Sequence, residues 1–339
     1  MYFCRRFLDK NRFYIMLCIY NPSTNPYFNL AAEEYFLDSC QEDVFMLWRN
    51  EPAIIVGKFQ NSLAEINLDY VQEKHIKVVR RQTGGGAVFH DLGNLNFTFI
   101  ENDSNGNFQT FTEPILKVLN QLGVDARFEG RNDLTINGMK FSGNAQCVHH
   151  NRTLHHGTLL FASEMTDLSQ ALKVNPLKFQ DKAVKSVRKR VTNISEHLPD
   201  KSFTVMDLKD AIMQYVKSTN SNAVSYELTD NDKAKIQRLV DEKYSTWEWN
   251  FGSSPRYTFQ KAIKTKGGMI ELYLLLDKGC IKEIKIYGDF FALKDIHELE
   301  QRLTGVQHNK EQLVAVIAEV GLSDYIRQVE EEEFLRLFF

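Results

Sequence analysis

The chain has 339 residues, 43% of them hydrophobic and 25% charged, with a formal net charge of -3. That length accommodates two domains with a sizeable core, and the slight acidity argues against a general nucleic-acid binder. The cysteines (Cys4, Cys18, Cys40, Cys147, Cys280) show no paired spacing, which favours free thiols in a reducing, cytoplasmic compartment; no apolar run reaches the ~20 residues of a membrane span.

Residues 13–20 are apolar but short, and no small-residue cleavage pattern follows them. Met16 offers an alternative start, which would make residues 1–15 a separate extension. Arg5, Arg6 and Arg12 suit a transit peptide, but Asp9 and the scarcity of serine speak against one. The pattern predicts a helix over 29–40, a strand over 53–57 and a helix over 67–75.

The run Arg80-Arg81-Gln82-Thr83-Gly84-Gly85-Gly86-Ala87-Val88-Phe89-His90-Asp91 comes next. Strand-like residues precede it at 76–79 and follow it at 87–89 and 95–100. Glycine permits positive φ and close backbone approach, bare amides can form an anion nest, and arginine forks suit phosphate or carboxylate. The loop therefore reads as a grip on an anionic, nucleotide-like ligand, or more simply as a glycine-rich hairpin corner. It is not a Walker loop, which needs Gly-Lys-Ser/Thr opening a helix. A dinucleotide fingerprint also needs a following helix. A strand-loop-strand element points to a mixed sheet carrying its ligand on one face.

A helix is expected over 113–122, stopped by Gly123. Then come Gly130-Arg131-Asn132-Asp133 and, around Asn137-Gly138, a two-residue hairpin signal. The turn sets 133–136 against 139–142, so Lys140 opens the return strand, with Gly143 just beyond. Lys140 reads either as a partly enclosed cation or as a solvated edge lysine. Asp133 suits magnesium, which takes one or two carboxylates plus substrate phosphates, or an Asx turn.

His155 and His156 are adjacent in a strand-like stretch, so they point to opposite faces. No nearby Cys or Glu completes a structural zinc spacing. Residues 182–190 hold five cations and no acid, which reads as a mobile loop closing over polyphosphate or docking an acidic partner. A boundary is expected at 247–254. Beyond it, 270–276 and 281–287 form a hairpin around Asp277-Lys278-Gly279. Helices follow near 292–303 and 312–320, and Glu330 to Glu333 form a solvated helix face. The whole reads as α+β.

These pieces in this order resemble the lipoate–protein ligases. The likeness rests on Asn29 to Glu34, Arg80 to Asp91 with Gly93-Asn94, Gly130 to Asp133, and Lys140 to Gln146. It continues at His155 to Leu160, Ser186 to Asn193 and Trp247 to Gly252. Gln82-Thr83 replaces a serine-containing pair found in part of the family. The resemblance implies a biotin/lipoyl ligase, class II synthetase-like catalytic domain over 16–246, a linker over 247–254 and an accessory α+β domain over 255–339. It implies ATP and lipoate as substrates, with Mg²⁺. Arg81, Gly86, Ala87, Val88, Phe89, Asn132 and Lys140 would bind ATP. Lys140, Arg81, Gly84, Gly85 and His156 would bind lipoate. Lys185, Ser186, Arg188, Arg190 and Thr192 would form a loop that orders over the adenylate. Lys140 would be the catalytic residue and Asp133 the metal ligand.

The implied chemistry joins two anions, a carboxylate and the α-phosphate of ATP, so fixed positive charge is needed. The implied acceptors are lipoyl domains of 2-oxoacid dehydrogenase complexes and the glycine cleavage H protein. The implied molecule is a monomer that engages neither nucleic acid nor membrane. Val88, Phe89 and Phe141 could line the acyl chain or simply pack the core. An octanoyl or lipoyl transferase is the alternative within the fold, but its cysteine position aligns with Arg127-Phe128; Cys147 is the nearest thiol. A non-enzymatic lipoate- or nucleotide-binding relative is the other alternative.

Overall fold

The computed structural model describes residues 15–60, 62, 66–102, 107–164, 191–251, 259–277 and 279–339. The first unit contains strands β1 (Met16–Asn21), β2 (Asp43–Trp48), β3 (Ala53–Val56), β4 (Lys77–Arg80), β5 (Val88–His90) and β6 (Asn94–Asn102). They are followed by β7 (Ala126–Glu129), β8 (Asp133–Ile136), β9 (Met139–His149), β10 (Arg152–Leu160) and β11 (Ala223–Ser225). An eight-stranded sheet has the order β11-β1-β2-β6-β10-β9-β8-β7, and a small sheet has the order β4-β3-β5.

Helix α1 (Pro26–Ser39) starts three residues before the expected position, because Asn25 caps it and Pro26 occupies its first turn; both residue types favour those positions. Helix α2 is Leu68–Glu73. Helix α3 (Phe108–Gln121) also starts earlier than expected, capped by Asn107, and runs through Pro114. The proline sits inside the helix, where it has no N–H to donate to the preceding turn. Later helices are α4 (Val205–Thr219) and α5 (Asp230–Leu239), then a π-helical turn (Val240–Tyr244) and α6 (Trp247–Asn250).

Strand β2 explains the layering. Phe45 and Leu47 face one core with Phe111, Ile115 and Ile212 of α3 and α4. Val44, Met46 and Trp48 face the other, with Leu30 and Phe36 of α1 and Ile55 and Val79 of the small sheet. A strand buried on both faces reads as continuously apolar. The site lies where the small sheet is laid over this second face. The Asn137-Gly138 hairpin forms as expected, with φ of 52° and 71° at the two residues.

The second unit is a meander of β12 (Phe259–Thr265), β13 (Gly268–Asp277) and β14 (Cys280–Gly288). Its helices are α7 (Ile296–Leu303), α8 (Lys310–Val320), α9 (Leu322–Tyr325) and α10 (Glu331–Leu335), and they share one core with the sheet. The expected hairpin and both expected helices are present. The first part of the expected 247–254 linker is α6, and it is docked on the first unit. Asn250 accepts from the Arg80 amide at 2.9 Å, and Trp249 Nε1 donates to the Arg80 carbonyl at 2.9 Å. The Arg80 side chain donates to the carbonyls of Gly57, Lys58 and Gln60 and to Ser62 Oγ. Among the described residues, no helix is long and apolar enough to cross a membrane.

Candidate active site

The glycine loop joins β4 to β5, and Arg81 shapes it from behind. Its guanidinium is buried. Nε donates to Thr83 Oγ1 (2.9 Å), Nη1 to Ile55 O (3.1 Å), and Nη2 to Gly84 O (2.6 Å) and Gly86 O (2.9 Å). Four of arginine's five N–H groups are thereby engaged, so here the residue fixes the loop more than it reaches outward. Burial pulls its pKa down to about 10, with Glu33 opposing, and it stays cationic at neutral pH. Gly85 has φ of 93°, which a side chain would oppose. Its amide donates to the Phe290 carbonyl at 3.2 Å. Of the three amides expected to grip an anion, this one is spent on the second unit. Gly84 packs on the same carbonyl.

A buried relay supports the loop. Trp48 Nε1 donates to Thr98 Oγ1 (2.9 Å), which donates to Glu33 Oε1 (2.6 Å). His156 Nδ1 lies 2.9 and 3.0 Å from the two Glu33 oxygens, and its Nε2 lies 2.8 Å from Thr83 Oγ1. Arg81 Nε can only donate, so the Thr83 hydroxyl is free to donate to His156 Nε2, and Nδ1–H then donates to Glu33. The buried charges of Arg81 and Glu33 are thus joined through Thr83 and His156. As expected, His155 faces the other way, stacked on Phe111 with ring centroids 4.9 Å apart.

Lys140 stands on β9 opposite a register irregularity in β8. Its Nζ lies 2.7 Å from Asp133 Oδ1, and both side chains are 39% exposed. An ion pair that exposed contributes only about 0–1 kcal/mol, so substrate oxygens can compete for the lysine. A Cβ on Gly143 would lie 3.1 Å from Nζ, so glycine there leaves the side chain room. Phe141, next along the strand, faces the opposite core and is fully buried. It packs and does not line the site, because neighbouring strand residues alternate faces.

Two cavities meet here. The inner one, ≈ 170 Å³, is lined by Leu30, Trp48, Ile55, His90, Asn96 and His156, among others. The outer one, ≈ 570 Å³, is lined by Phe89, Glu129, Gly130, Asp133, Ser142 and Glu164, among others. Ala87, Val88, Lys140, Gly143 and Thr158 line both. Arg81, Gly85, Gly86, Asn132 and His156 fall on the inner cavity. Gly84 lines neither cavity. Thr192 donates its amide to the Lys140 carbonyl at 2.9 Å. Lys185, Ser186, Arg188 and Arg190 lie outside the described residues. Glu33, Thr83, Thr98 and Trp48 were not picked out as site residues by sequence reasoning. The available signal was a carboxylate at 33 on the same helical face as Leu30 and Leu37.

The second unit closes over this region. Phe290 stacks on Phe59 with centroids 4.9 Å apart. Arg131 lies over the Phe291 ring at 4.5 Å and donates to Gly267 O at 2.9 Å. Phe291 itself lines the inner cavity. Burial pushes the Cys147 thiol up to about 12, which leaves it protonated at neutral pH and unsuited to the nucleophilic role that a transferase requires.

Residues 25–217 match the family model of the lipoyl protein ligase A/B catalytic domain. Residues 254–338 match the bacterial lipoate protein ligase C-terminus. The chain is 42% identical to lipoate-protein ligase LplJ of Bacillus subtilis, over 96% of this chain and 100% of that protein. Its fold is similar to that of P. falciparum LipL1, solved in complex with lipoate, with a TM-score of 0.77 and 28% identity over 95% of this chain and 97% of that one. It is also similar to a lipoate-protein ligase A bound with ATP, with a TM-score of 0.60 and 28% identity over 70% of this chain and 98% of that one. With both units matched in order and a relative this similar over its whole length, the chain belongs to the lipoate–protein ligase family.

Proposed function

We propose that the protein activates lipoate with ATP to lipoyl-AMP and then transfers the lipoyl group to a lysine of an acceptor lipoyl domain. The observation that carries this reading is the position of Lys140 on the wall common to both cavities. The inner, smaller cavity, with Leu30, Trp48, Ile55 and Val88 on its wall, suits an acyl chain, whose burial is worth about 0.8 kcal/mol per methylene. The outer, larger cavity suits the nucleotide.

In the first step a lipoate carboxylate oxygen attacks the α-phosphorus of ATP. The bond to the bridging oxygen breaks and pyrophosphate leaves. The two anions repel, and Lys140 can touch both from the shared wall; Arg81 adds buried positive charge behind the loop. In the second step the neutral ε-amine of the acceptor lysine attacks the acyl carbon. AMP leaves with the anhydride oxygen, and the amine sheds a proton. Lys140 then faces the charge developing on the carbonyl and phosphate oxygens.

Mg²⁺ fits the outer cavity through Asp133, one carboxylate beside the expected phosphates, which is the usual sparse protein share of a magnesium site. Bound there, it would neutralise phosphate charge. The unpaired thiols at Cys18, Cys40, Cys147 and Cys280 support a reducing, cytoplasmic setting. The acceptors proposed are lipoyl domains of 2-oxoacid dehydrogenase complexes and the glycine cleavage H protein, on the strength of the family resemblance. Lipoate-dependent ATP–pyrophosphate exchange tests the first step, and mass shift of an added lipoyl domain tests the second. No exchange with lipoate would overturn the reading.

A further inference from the structure

The deep wall of the inner cavity carries polar groups that the relay does not use. His90 and Asn96 both line it, at 3% and 1% exposure. His90 Nε2 and Asn96 Nδ2 are buried and have no hydrogen-bond partner among the described residues.

The His90 tautomer follows from its surroundings. Asn29 Nδ2 donates to the carbonyls of Ser23 and Arg49, both at 2.9 Å, so this atom must be the amide nitrogen. It also meets Asn50 Oδ1 at 2.8 Å. Asn50 therefore presents Nδ2 to His90 Nδ1, at 3.0 Å. His90 Nδ1 accepts, so Nε2 carries the hydrogen. Burial, then the neighbouring His156 and Arg81, lowers the His90 pKa to about 3, so the ring is a neutral donor. Asn96 is joined to Asn94 by one amide–amide bond of 2.8 Å; Asn94 Oδ1 and Asn96 Nδ2 are both left without a partner among the described residues, so the pair can exchange donor and acceptor and His90 is the donor that its surroundings fix. Leu30, Trp48, Ile55 and Val88 are among the apolar residues of the same cavity.

Neutral donors set in apolar walls suit a neutral, weakly accepting group rather than an ion. Buried donors left unpaired penalise a ligand that cannot accept from them. We infer that His90 is a specificity residue: its Nε2–H recognises the sulfur-bearing end of the acyl chain and sets a preference for lipoate over a saturated acid of similar length. Divalent sulfur is a weak hydrogen-bond acceptor and packs well against aromatic rings such as Trp48. Octanoate offers only hydrocarbon there and leaves the His90 donor unpaired. This inference rests on the lipoate-activating reading of the site.

The test compares ATP–pyrophosphate exchange with lipoate and with octanoate. The wild-type chain is expected to favour lipoate, and His90→Leu is expected to lower the lipoate-to-octanoate ratio of kcat/KM about 10-fold. His90→Gln, which keeps an amide donor, should restore part of the ratio. A second readout does not depend on variants. In the full-length protein with ¹⁵N-labelled histidine, the His90 Nε2–H signal should shift and exchange more slowly with lipoate than with octanoate. An unchanged ratio in His90→Leu, or a His90 signal that responds equally to both acids, overturns the inference while leaving the ligase reading intact. Absence of wild-type exchange with either acid sinks the ligase reading itself.

Discussion

The inner and outer cavities share Lys140 but are built on opposite principles. Around the inner cavity runs a buried network: Glu33, His156, Thr83 and Arg81 form one chain of hydrogen bonds. Around the outer cavity, the bond that holds Lys140 is a half-exposed pair with Asp133. Buried networks are costly to leave half satisfied and therefore hold one arrangement, whereas an exposed pair gives way at little cost. The difference teaches a division of labour. The acyl pocket is set before substrate arrives, and the reacting centre keeps a cation that can exchange partners.

The largest effect should come from removing that cation. Lys140→Ala is expected to lower lipoate-dependent exchange by roughly 10²-fold or more, as for loss of one preorganised charge-stabilising donor. Its melting temperature should stay close to that of the parent, because the side chain is 39% exposed. Near-parental exchange would remove Lys140 from the chemistry and break the comparison at its shared wall.

Thr83→Val tests the inner side. It keeps nearly the same shape but strands the Arg81 Nε–H and His156 Nε2, both buried contacts of the hydroxyl. Stability should fall by about 1–3 kcal/mol, and the KM for lipoate should rise about 10-fold if loop position follows the network. A stability loss with an unchanged lipoate KM would make the relay a packing feature only.

Much of the outer region could be read from the sequence, because its signals are local. Asn137-Gly138 dictates its own turn, and that turn places Lys140 beside Asp133. The start of α1 is marked locally too, by a capping Asn25 followed by Pro26 in the first turn. The inner network could not be read, because Glu33 and His156 lie 123 positions apart and meet only once α1 packs across β10. The same holds for Gly85 and Phe290. Glycine spacing announces an available amide, but not that another unit will take it. The expected role of Arg81 as a fork on the ligand ran into a similar limit, since Nη1 and Nη2 bond the carbonyls of Ile55, Gly84 and Gly86, which no side-chain pattern reveals.

A pH measurement sharpens the comparison further. His90 is buried with a pKa lowered to about 3, whereas an unfolded histidine titrates near 6.5. The unfolded chain therefore binds the extra proton below about pH 6.5, and the stability due to neutral His90 is present above that value and lost as pH falls towards 3. Comparing wild type with His90→Gln by denaturant unfolding should show a steeper acid loss in wild type, by up to about 1.4 kcal/mol per pH unit. Equal slopes would mean that the ring is charged or solvated in the folded state, and the inner cavity would no longer be a neutral, prearranged pocket.

The smallest effect is expected at Asp133, and it separates two views of the outer cavity. If the carboxylate serves only to park Lys140, Asp133→Asn frees the lysine, and exchange should hold or rise slightly. If it also meets the metal that accompanies ATP, the KM for ATP should rise several-fold and added Mg²⁺ should recover part of the loss, since magnesium is bound jointly by few carboxylates and by substrate phosphates. Either way stability should move by no more than about 0.5 kcal/mol, as for surface substitutions generally. We expect the second pattern, because the Asp133 side chain faces the larger cavity and loses little by exchanging one cation for another. A fall in stability comparable to that of Thr83→Val would show that the outer site is as firmly prearranged as the inner one, and the division of labour between them would fail.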